Sequence, residues 1–263
     1  MDIGIIGSEG IVGSACKFGF SKVGHKVVSH DLVLETKLED VLGTDICFVC
    51  LPTPRTEEGP DFSIIGVTLR ELDELGYSSP VVIKSTVLPG TTEQFAAGVS
   101  FELAHSAEYL RERCNISDFV ENHKLLLIGT ESDLVCSLVV KCHGNLPRKI
   151  MQVSRTQSEL AKYYHNVYSG LRIAVANEFY DICRFLGEDY TEVKNALVQS
   201  TSMPDIYLDV NEHCRGYSSG CLNRDLPNII AFSEALGLNN TLLASIEKSN
   251  AKYEKTPFGN TRE

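Results

Sequence analysis

The 263-residue sequence lacks an excess of basic residues and lacks a long apolar run. It contains 24 Lys and Arg against 35 Asp and Glu, so its formal net charge at pH 7 is −11. Proteins that bind nucleic acids or anionic membranes normally present a basic surface, and we therefore expect neither partner. No apolar run reaches the ~18 residues that a transmembrane helix needs, so we expect no membrane span.

A secretion signal and a disulfide framework are also missing. The segment M-D-I-G-I-I-G at the N-terminus has no basic region, which argues against a signal peptide. The nine cysteines are odd in number and follow no disulfide spacing, so we expect reduced thiols in a cytoplasmic protein. Cys47 and Cys50 form a C-x-x-C pair within an apolar segment, and we interpret this pair as part of a buried strand.

Short runs rich in Val and Ile alternate with helix-like segments over roughly the first 150 residues. The predicted strands are 2–6, 26–30, 46–51, 81–85, 101–104, 125–129 and 150–153, with amphipathic helices at 64–75 and 132–140. Runs without polar alternation are typical of strands that are covered on both faces. The pattern therefore predicts a Rossmann-type, doubly wound parallel sheet of the α/β class.

The pattern becomes helical after Ser154. A long amphipathic helix is predicted over 156–187, followed by helices at 190–200 and 226–255, the last with a break near Gly237, and by a frayed tail at 256–263. We expect a dinucleotide-binding domain over residues 1–154 and an all-α domain over 155–263. The long helix carries more apolar surface than one thin layer can cover, so we expect at least a homodimer.

Gly7, Gly10 and Gly13 follow the first predicted strand with the spacing G-x-x-G-x-x-G. Glycines let the backbone approach a pyrophosphate, and the following helix start offers free N–H groups. Asp31 ends the second strand, where a carboxylate can bind the adenosine ribose and disfavours a 2′-phosphate. An empty strand–helix turn is the alternative, but together the two features favour NAD over NADP.

Two pairs of polar residues have helical i, i+4 spacing. Lys162 and Asn166 could together stabilise a developing negative charge, although a solvated lysine beside a helical asparagine has the same pattern. Glu108 and Glu112 could divide acid and base roles on one helix face. The alternative for the glutamates is a solvated helix face with neighbouring arginines as counterions.

Cys221 lies in the segment G-Y-S-S-G-C-L-N-R-D at residues 216–225. A helix start after the cysteine and the charge of Arg224 would favour the thiolate, and Asp225 is placed to orient a base or a water molecule. The alternative is a loop before a helix cap in which Cys221 is a small apolar residue.

Six segments, taken in order, resemble the UDP-glucose/GDP-mannose dehydrogenase family. G-I-V-G at 10–13 resembles the family's G-Y-V-G, and L-P-T-P at 51–54 with Gly59 and Asp61 resembles V-P-T-P…G…D. K-S-T-V at 84–87 is identical to the family motif, and S-A-E-Y-L-R-E at 106–112 is similar to N-P-E-F-L-R-E. E-L-A-K at 159–162 with Asn166 matches E-L-x-K-x-x-x-N, and the segment 216–225 resembles G-F-G-G-S-C-F-P-K-D.

The resemblance implies that a nucleotide sugar is oxidised at its C6 alcohol to a carboxylate with two NAD, through a thiohemiacetal and a thioester on Cys221. It implies that Lys162 and Asn166 stabilise the oxyanion and that Asp225, Thr86 and Glu108 hold and activate the water. No metal is implied. The implied cofactor-binding residues are Gly7, Gly10, Ile11, Val12, Gly13, Asp31, Thr53, Pro54, Thr86, Glu112 and Arg224, and the implied substrate-binding residues are Glu108, Tyr109, Leu110, Lys162, Asn166 and Gly216.

The sequence also departs from the family. Ser218 and Ser219 replace glycines, Asn223 replaces proline or glutamine, and Arg224 replaces lysine. The chain ends after the central helices, whereas the family has a third domain that grips the nucleotide, so we expect the nucleotide to be only partly covered or to meet another surface. Two other functions remain open: a short β-hydroxyacid dehydrogenase that transfers one hydride without a cysteine, and a non-enzymatic homologue that binds NAD or a partner.

Overall fold

The computed structural model describes residues 1–201, 203–218 and 220–253. It divides into two compact units, Met1–Lys162 and Tyr163–Glu263. Ser219, the predicted tail at 256–263 and the last two residues of the predicted helix at 226–255 lie outside the described residues.

The first unit is built on one seven-stranded sheet with the strand order β2-β1-β3-β6-β7-β8-β9. Each of the seven predicted strands overlaps one of these, which confirms the Rossmann-type fold class. The strands are β1 (Asp2–Ile6), β2 (Lys26–His30), β3 (Ile46–Val49), β6 (Val81–Ile83), β7 (Leu103–His105), β8 (Leu126–Gly129) and β9 (Ile150–Val153), and a separate hairpin consists of β4 (Arg55–Thr56) and β5 (Gly59–Pro60).

The sheet differs from the fully parallel arrangement that the sequence pattern predicts. β2, β1, β3, β6 and β7 are parallel, but β8 pairs antiparallel with β7 and carries β9 parallel to itself. A strand that runs antiparallel to its predecessor begins at the edge where that predecessor ended. The connection between β7 and β8 therefore stays at the carboxyl edge of the parallel strands, beside the loops that follow β1, β3 and β6.

Helices cover both faces of the sheet. They are α1 (Ile11–Val23), α2 (Ser63–Glu74), α3 (Thr91–Ala96), α4 (Asn115–Val120) and α5 (Asp133–His143). Alternate residues of β3 face opposite sides, so Phe48 packs into one apolar cluster and Val49 into the other. Cys47 and Cys50 likewise contact opposite clusters, so their thiols cannot form one metal or redox site and the buried-strand interpretation holds.

The second unit is helical, as predicted. Its elements are α6 (Arg155–Leu186), whose first turns belong to the first unit, α7 (Tyr190–Thr201), α8 (Gly220–Ala235) and α9 (Thr241–Asn250). Helix α8 begins at Gly220 although the sequence pattern predicts a start at 226, and it contains Pro227. Leu222 and Leu226 are both buried in the same cluster one turn apart, which keeps this turn helical despite the hydrogen bond that the proline removes.

One face of α6 is apolar and exposed in the second unit. This exposed face consists of Tyr164, Tyr168, Val175, Phe179, Ile182, Phe185 and Leu186. The spacing of these residues is that of a single helical stripe. Among the described residues, no helix is long and apolar enough to cross a bilayer.

Candidate functional site

The glycine loop lies between β1 and α1. Gly7 has φ +80°, and a Cβ there would approach the carbonyl oxygen of Cys50 to 2.5 Å. A Cβ on Gly13 would collide with the carbonyl of Gly7. The glycines therefore let α1 begin directly against the end of β1, where Ile11 and Val12 contribute the free N–H groups of a helix start. This cradle fits a dinucleotide pyrophosphate.

Asp31 is held close to this loop by backbone hydrogen bonds. Its Oδ2 accepts a hydrogen bond from the N–H of Glu9 at 2.9 Å, and its Oδ1 accepts one from Val33 at 3.2 Å. Glu9 is the extra residue in the G-x-x-G spacing, and its own carboxylate pairs with Lys17 at 2.8 Å. Each oxygen of Asp31 keeps acceptor capacity, so the carboxylate can still bind ribose hydroxyls.

The loops after β3 and β6 are joined at the same edge of the sheet. The hydroxyl of Ser85 donates a hydrogen bond to the carbonyl of Leu51 at 2.6 Å. Thr53 is buried and Pro54 is exposed on the first loop, and Thr86 is half-buried on the second. These three predicted site residues therefore lie on neighbouring loops of the first unit.

Glu108 is buried and ion-paired in the connection between β7 and β8. Its Oε1 lies 2.5 Å from Nζ of Lys84, and both side chains are almost fully buried. Burial lowers the pKa of Lys84, but the charge and hydrogen bond of Glu108 together with the thiols of Cys16 and Cys50 outweigh that effect and leave the pKa raised. Lys84 belongs to the K-S-T-V motif, yet a role for it is not evident from the sequence, because nothing in the motif reveals a buried partner 24 residues away.

Two further buried residues, His123 and His143, surround this ion pair. Nε2 of His143 lies 3.4 Å from Nζ of Lys84, and Nε2 of His123 lies 3.8 Å from Oε2 of Glu108. Burial lowers the pKa of both histidines, that of His143 strongly. Neither histidine is recognisable in the sequence, since isolated histidines outside a motif carry no signal for a shared cluster.

The prediction that Glu108 and Glu112 share a helix face is wrong. Residues 106–111 are not helical, and Glu112 begins a short 3-10 turn (Glu112–Cys114) where it is exposed. Arg111, a predicted counterion of these glutamates, instead binds Asp118 through its backbone N–H, Nε and Nη2. The ion pair with Lys84 holds the side chain of Glu108 in the interior of the first unit, and the backbone of Arg111 is extended. Because residues 108–111 are not helical, the i, i+4 spacing does not place Glu108 and Glu112 on one face.

Lys162 reaches back to the same connection. Its Nζ donates a hydrogen bond to the main-chain carbonyl of Glu108 at 2.8 Å and lies 5.3 Å from the ring centroid of Tyr109. Two predicted substrate-binding residues, Tyr109 and Leu110, are half-buried in this segment. An ammonium has three donors, so Lys162 can hold this segment and still donate to a ligand oxygen.

Glu159, one turn before Lys162, is a second residue whose contribution the sequence conceals. Its carboxylate accepts hydrogen bonds from the N–H groups of Gly90 (2.6 Å) and Thr92 (2.8 Å) at the start of α3. It thereby ties α6 to the loop that follows Thr86. The glutamate of the E-L-x-K segment thus positions backbone within the first unit.

In the second unit, Asn166, Arg224 and Asp225 form one hydrogen-bonded group. The amide of Asn166 donates to Oδ2 of Asp225 at 2.6 Å, and Nε of Arg224 donates to Oδ1 at 2.9 Å. Asp225 is fully buried and Asn166 nearly so. The carboxylate of Asp225 is therefore fixed in orientation by one neutral and one charged donor.

Cys221 lies in the first turn of α8, one turn before Asp225, and is exposed. Its thiol and the guanidinium of Arg224 are close enough to interact electrostatically. A helix start and a nearby cation both favour a thiolate. Gly216, by contrast, is buried with φ +58°, and a Cβ there would come within 2.6 Å of Asn250 Oδ1, so its surroundings are those of a packed turn.

No group of three or more His, Cys, Asp or Glu side chains within the described ranges is placed to hold a metal ion. In the cluster around Glu108, the ammonium of Lys84 neutralises the buried carboxylate. The polar side chains of the described site are a thiol, carboxylates, an amide and ammonium or guanidinium groups.

Comparison with known proteins identifies both units. The sequence model of the UDP-glucose/GDP-mannose dehydrogenase family, NAD binding domain, matches residues 29–145, and that of the family's central domain matches residues 156–252. NAD is thereby confirmed as the cofactor.

The chain is similar to a UDP-glucose 6-dehydrogenase of Haloferax volcanii, with 26% identity over 97% of this chain and 71% of that protein. It is 27% identical to a GDP-mannose 6-dehydrogenase of Pseudomonas aeruginosa over 83% of this chain and 53% of that protein. A solved UDP-glucose dehydrogenase from Pyrobaculum islandicum superposes with TM-score 0.86 and 25% identity, covering 95% of this chain and 68% of that one. The chain thus spans between about half and 71% of the length of these relatives.

Proposed function

Because the chain belongs to the UDP-glucose/GDP-mannose dehydrogenase family, we propose that it is an NAD-dependent nucleotide-sugar 6-dehydrogenase similar to UDP-glucose 6-dehydrogenase. The observation that carries this proposal is the group around Cys221. An exposed thiol at a helix start lies near Arg224 and one turn from the fixed carboxylate of Asp225. A thiol so placed is suited to form a covalent intermediate, and a fixed carboxylate is suited to orient the water that resolves it.

Bound NAD supplies a hydride acceptor for each of two oxidations. We propose that Lys162 and Asn166 donate hydrogen bonds to the C6 oxygen as it gains negative charge. In the first oxidation the C6 hydroxyl loses its proton to solvent and C6 loses a hydride, which gives the aldehyde. Cys221 loses its thiol proton to solvent, its sulfur bonds to the aldehyde carbon, and the aldehyde oxygen takes up a proton to give a thiohemiacetal. When that carbon loses a hydride and its hydroxyl loses a proton, the product is a thioester on Cys221.

Water resolves the thioester in the last step. In the proposal, Thr86, Glu108 and Asp225 hold this water while its oxygen bonds to the thioester carbon and one of its protons moves to a carboxylate. The carbon–sulfur bond breaks with its electron pair on Cys221, which recovers a proton from the new carboxylic acid. The ammonium of Lys84, 2.5 Å from Oε1, holds the carboxylate of Glu108 in place for this role.

For the ligands, we propose that the glycine loop, Asp31, Thr53 and Pro54 hold NAD, with Thr86, Glu112 and Arg224 nearby. The main chain of Glu108, Tyr109 and Leu110, held by Lys162, would contact the sugar, and we retain Gly216 as a proposed substrate contact.

We further propose that the exposed face of α6 binds the same face of a second copy. Phe179 is 51% exposed and Phe185 is 91% exposed on this face. Apolar residues in one stripe at this exposure are typical of subunit interfaces.

The deciding experiment measures NADH formed per substrate molecule for UDP-glucose, GDP-mannose, UDP-N-acetylmannosamine and free β-hydroxyacids. We expect two NADH per nucleotide sugar, together with the carboxylate product. One NADH from a free hydroxyacid would favour the short β-hydroxyacid dehydrogenase. NAD binding without turnover of any of these substrates would favour the non-enzymatic homologue.

A further inference from the structure

The buried polar cluster of the first unit, defined by Lys84, Ser106, Glu108, His123 and His143, has one acceptor without a donor. Nζ of Lys84 lies 2.5 Å from Oε1 of Glu108, 3.4 Å from Oγ of Ser106 and 3.4 Å from Nε2 of His143. In the described part of the chain, no hydrogen bond reaches Nε2 of His123, which is nevertheless buried. Lys84 and His143 in the same cluster are both hydrogen-bonded, so this atom stands out.

Main-chain carbonyls assign the tautomer of both histidines. Nδ1 of His143 lies 2.7 Å from the carbonyl oxygen of Val139, and Nδ1 of His123 lies 3.2 Å from that of Phe119. A carbonyl oxygen can only accept, so the neutral ring of His143 carries its proton on Nδ1. The ring of His123 also lies near a second carbonyl, that of Leu125, and we assign to it the same tautomer, which presents the lone pair of Nε2 to the cluster.

The two rings differ in what this lone pair meets. Nε2 of His143 accepts a hydrogen bond from Lys84. Nε2 of His123 faces Oε2 of Glu108 at 3.8 Å, so two acceptors point at each other with no hydrogen between them. One added proton would satisfy both atoms, whereas an unpaired buried acceptor costs free energy.

We propose that His123 is the proton partner of Glu108, a positioning residue that shares the proton which Glu108 takes from water during thioester hydrolysis. The inference rests on the proposed function, in which Glu108 acts on that water. The O–H bond of water breaks, the oxygen bonds to the thioester carbon, and the proton passes to Oε2 of Glu108 and is shared with Nε2 of His123. The pair returns the proton to solvent before the next turnover.

The surrounding charges allow the proton to be held only transiently. Lys84 at the end of β6 repels a proton on His123, and Glu108 attracts it. The ring of His143 on α5 packs against that of His123 with centroids 5.6 Å apart and stays neutral because burial holds its pKa well below the usual range. Burial also lowers the pKa of His123 itself, so the proton leaves once Glu108 no longer supplies it.

The first test is the replacement His123→Gln, whose amide can donate to Glu108 but cannot take up a proton. Single-turnover hydrolysis of the thioester should slow by about tenfold and lose one ionisation from its pH profile, while aldehyde formation and NAD affinity stay unchanged. His143→Gln is the matched control, because its Nε2 is already bonded to Lys84. The control should lower the stability and leave the shape of the pH profile intact. The same profile in His123→Gln as in the wild type would overturn the proposal.

The second test does not depend on turnover. The imidazole of His123 is titrated by NMR in the wild type and in Glu108→Gln, both without substrate. We expect the pKa of His123 to fall in Glu108→Gln because the attracting carboxylate is gone; an unchanged pKa would overturn the pairing. If the pKa of His123 falls in Glu108→Gln but the wild-type protein oxidises none of the nucleotide sugars, the Glu108–His123 pair is upheld and the proposed function is overturned.

Discussion

The first unit buries both members of an ion pair, whereas the second unit exposes an apolar helix face. In the first unit, Lys84 and Glu108 are enclosed with His143 beneath the carboxyl edge of the sheet. In the second unit, Phe179 and Phe185 project from α6 into solvent. A sheet covered on both faces leaves no solvent for an unpaired ion, so every charge inside it requires a partner. A single helical layer has no second layer of this chain to cover its outer apolar face, so that face is expected to bind the surface of another molecule.

This contrast assigns a different proposed role to each unit. Binding of NAD depends on backbone that the first unit holds rigidly, and the covalent chemistry depends on a thiol that the second unit leaves exposed. The following substitutions test whether these roles separate, beginning with the largest expected effect.

Cys221→Ser should remove acid formation and leave NAD binding intact. Loss of a nucleophile typically lowers turnover by about four orders of magnitude or more. Carboxylate formation and NAD affinity are measured in the same preparation. Cys136→Ser is the matched control in the first unit and should keep full activity. Acid formation at the wild-type rate in Cys221→Ser would refute the thioester mechanism.

Lys84→Met should destabilise the protein by about 3–5 kcal/mol, because it leaves the carboxylate of Glu108 buried without its cation. Urea unfolding measures the free energy. Lys194 in the second unit is the comparison, since its partners Asp205 and Asp209 are 43% and 70% exposed at the side chain. Lys194→Met should cost about 1 kcal/mol or less. Equal losses in the two variants would contradict the difference between the units.

Acid should weaken folding through the buried histidines of the first unit. Burial lowers the pKa of His105 to about 4. The unfolded chain binds this proton below about pH 6.5 and the folded chain does not, so stability is fully present above pH 6.5 and falls as pH approaches 4. The loss for His105 is about 3 kcal/mol. Unfolding free energies from pH 7.5 to 4 should show less pH dependence in His105→Asn, whereas His213→Asn, at an exposed position of the second unit, should match the wild type.

Phe185→Glu should weaken self-association through the exposed face of α6. A charge at an interface centre typically costs about 2 kcal/mol or more, which is roughly a 30-fold weaker dimer. Sedimentation across a concentration series measures this change. Leu242→Glu on α9 is the control, since Leu242 is also exposed, at 60%, but lies outside that face. A wild-type chain that sediments as a monomer of ~29 kDa at micromolar concentration would rule out the homodimer.

Asp31→Ala should give the smallest effect. Loss of a hydrogen bond between a carboxylate and a ribose hydroxyl costs about 1.5 kcal/mol, or roughly tenfold in NAD affinity. The same change should bring NADP affinity closer to that of NAD, because a repelling charge is gone. Calorimetry with both dinucleotides measures the two values. Tighter binding of NADP than of NAD by the wild type would exclude the proposed role of Asp31.

The strands and helices whose positions follow from a repeat among neighbouring residues could be predicted from the sequence. Apolar runs located all seven strands of the sheet, and the periodic pattern located α6, because burial on two faces or one face imposes a local repeat. The requirement for glycine at position 13 is local in the same way, since a Cβ there would meet the backbone of Gly7, whereas a Cβ on Gly7 would meet the carbonyl of the distant Cys50. The start of α8 was not, because Leu222 and Leu226 keep that turn helical through contacts with distant residues.

By itself, the sequence determined the fold class, the family, the cofactor and the candidate nucleophile, because these depend on local pattern and on short motifs. Only the tertiary structure decided which charges meet. In that structure β8 runs antiparallel to β7, so the connection between them, which contains Glu108 and His123, stays at the carboxyl edge of the sheet. The tertiary structure then paired Glu108 with Lys84, 24 residues away, rather than with Glu112. Contacts between residues so far apart depend on how strands are ordered and oriented, and no local spacing encodes that order.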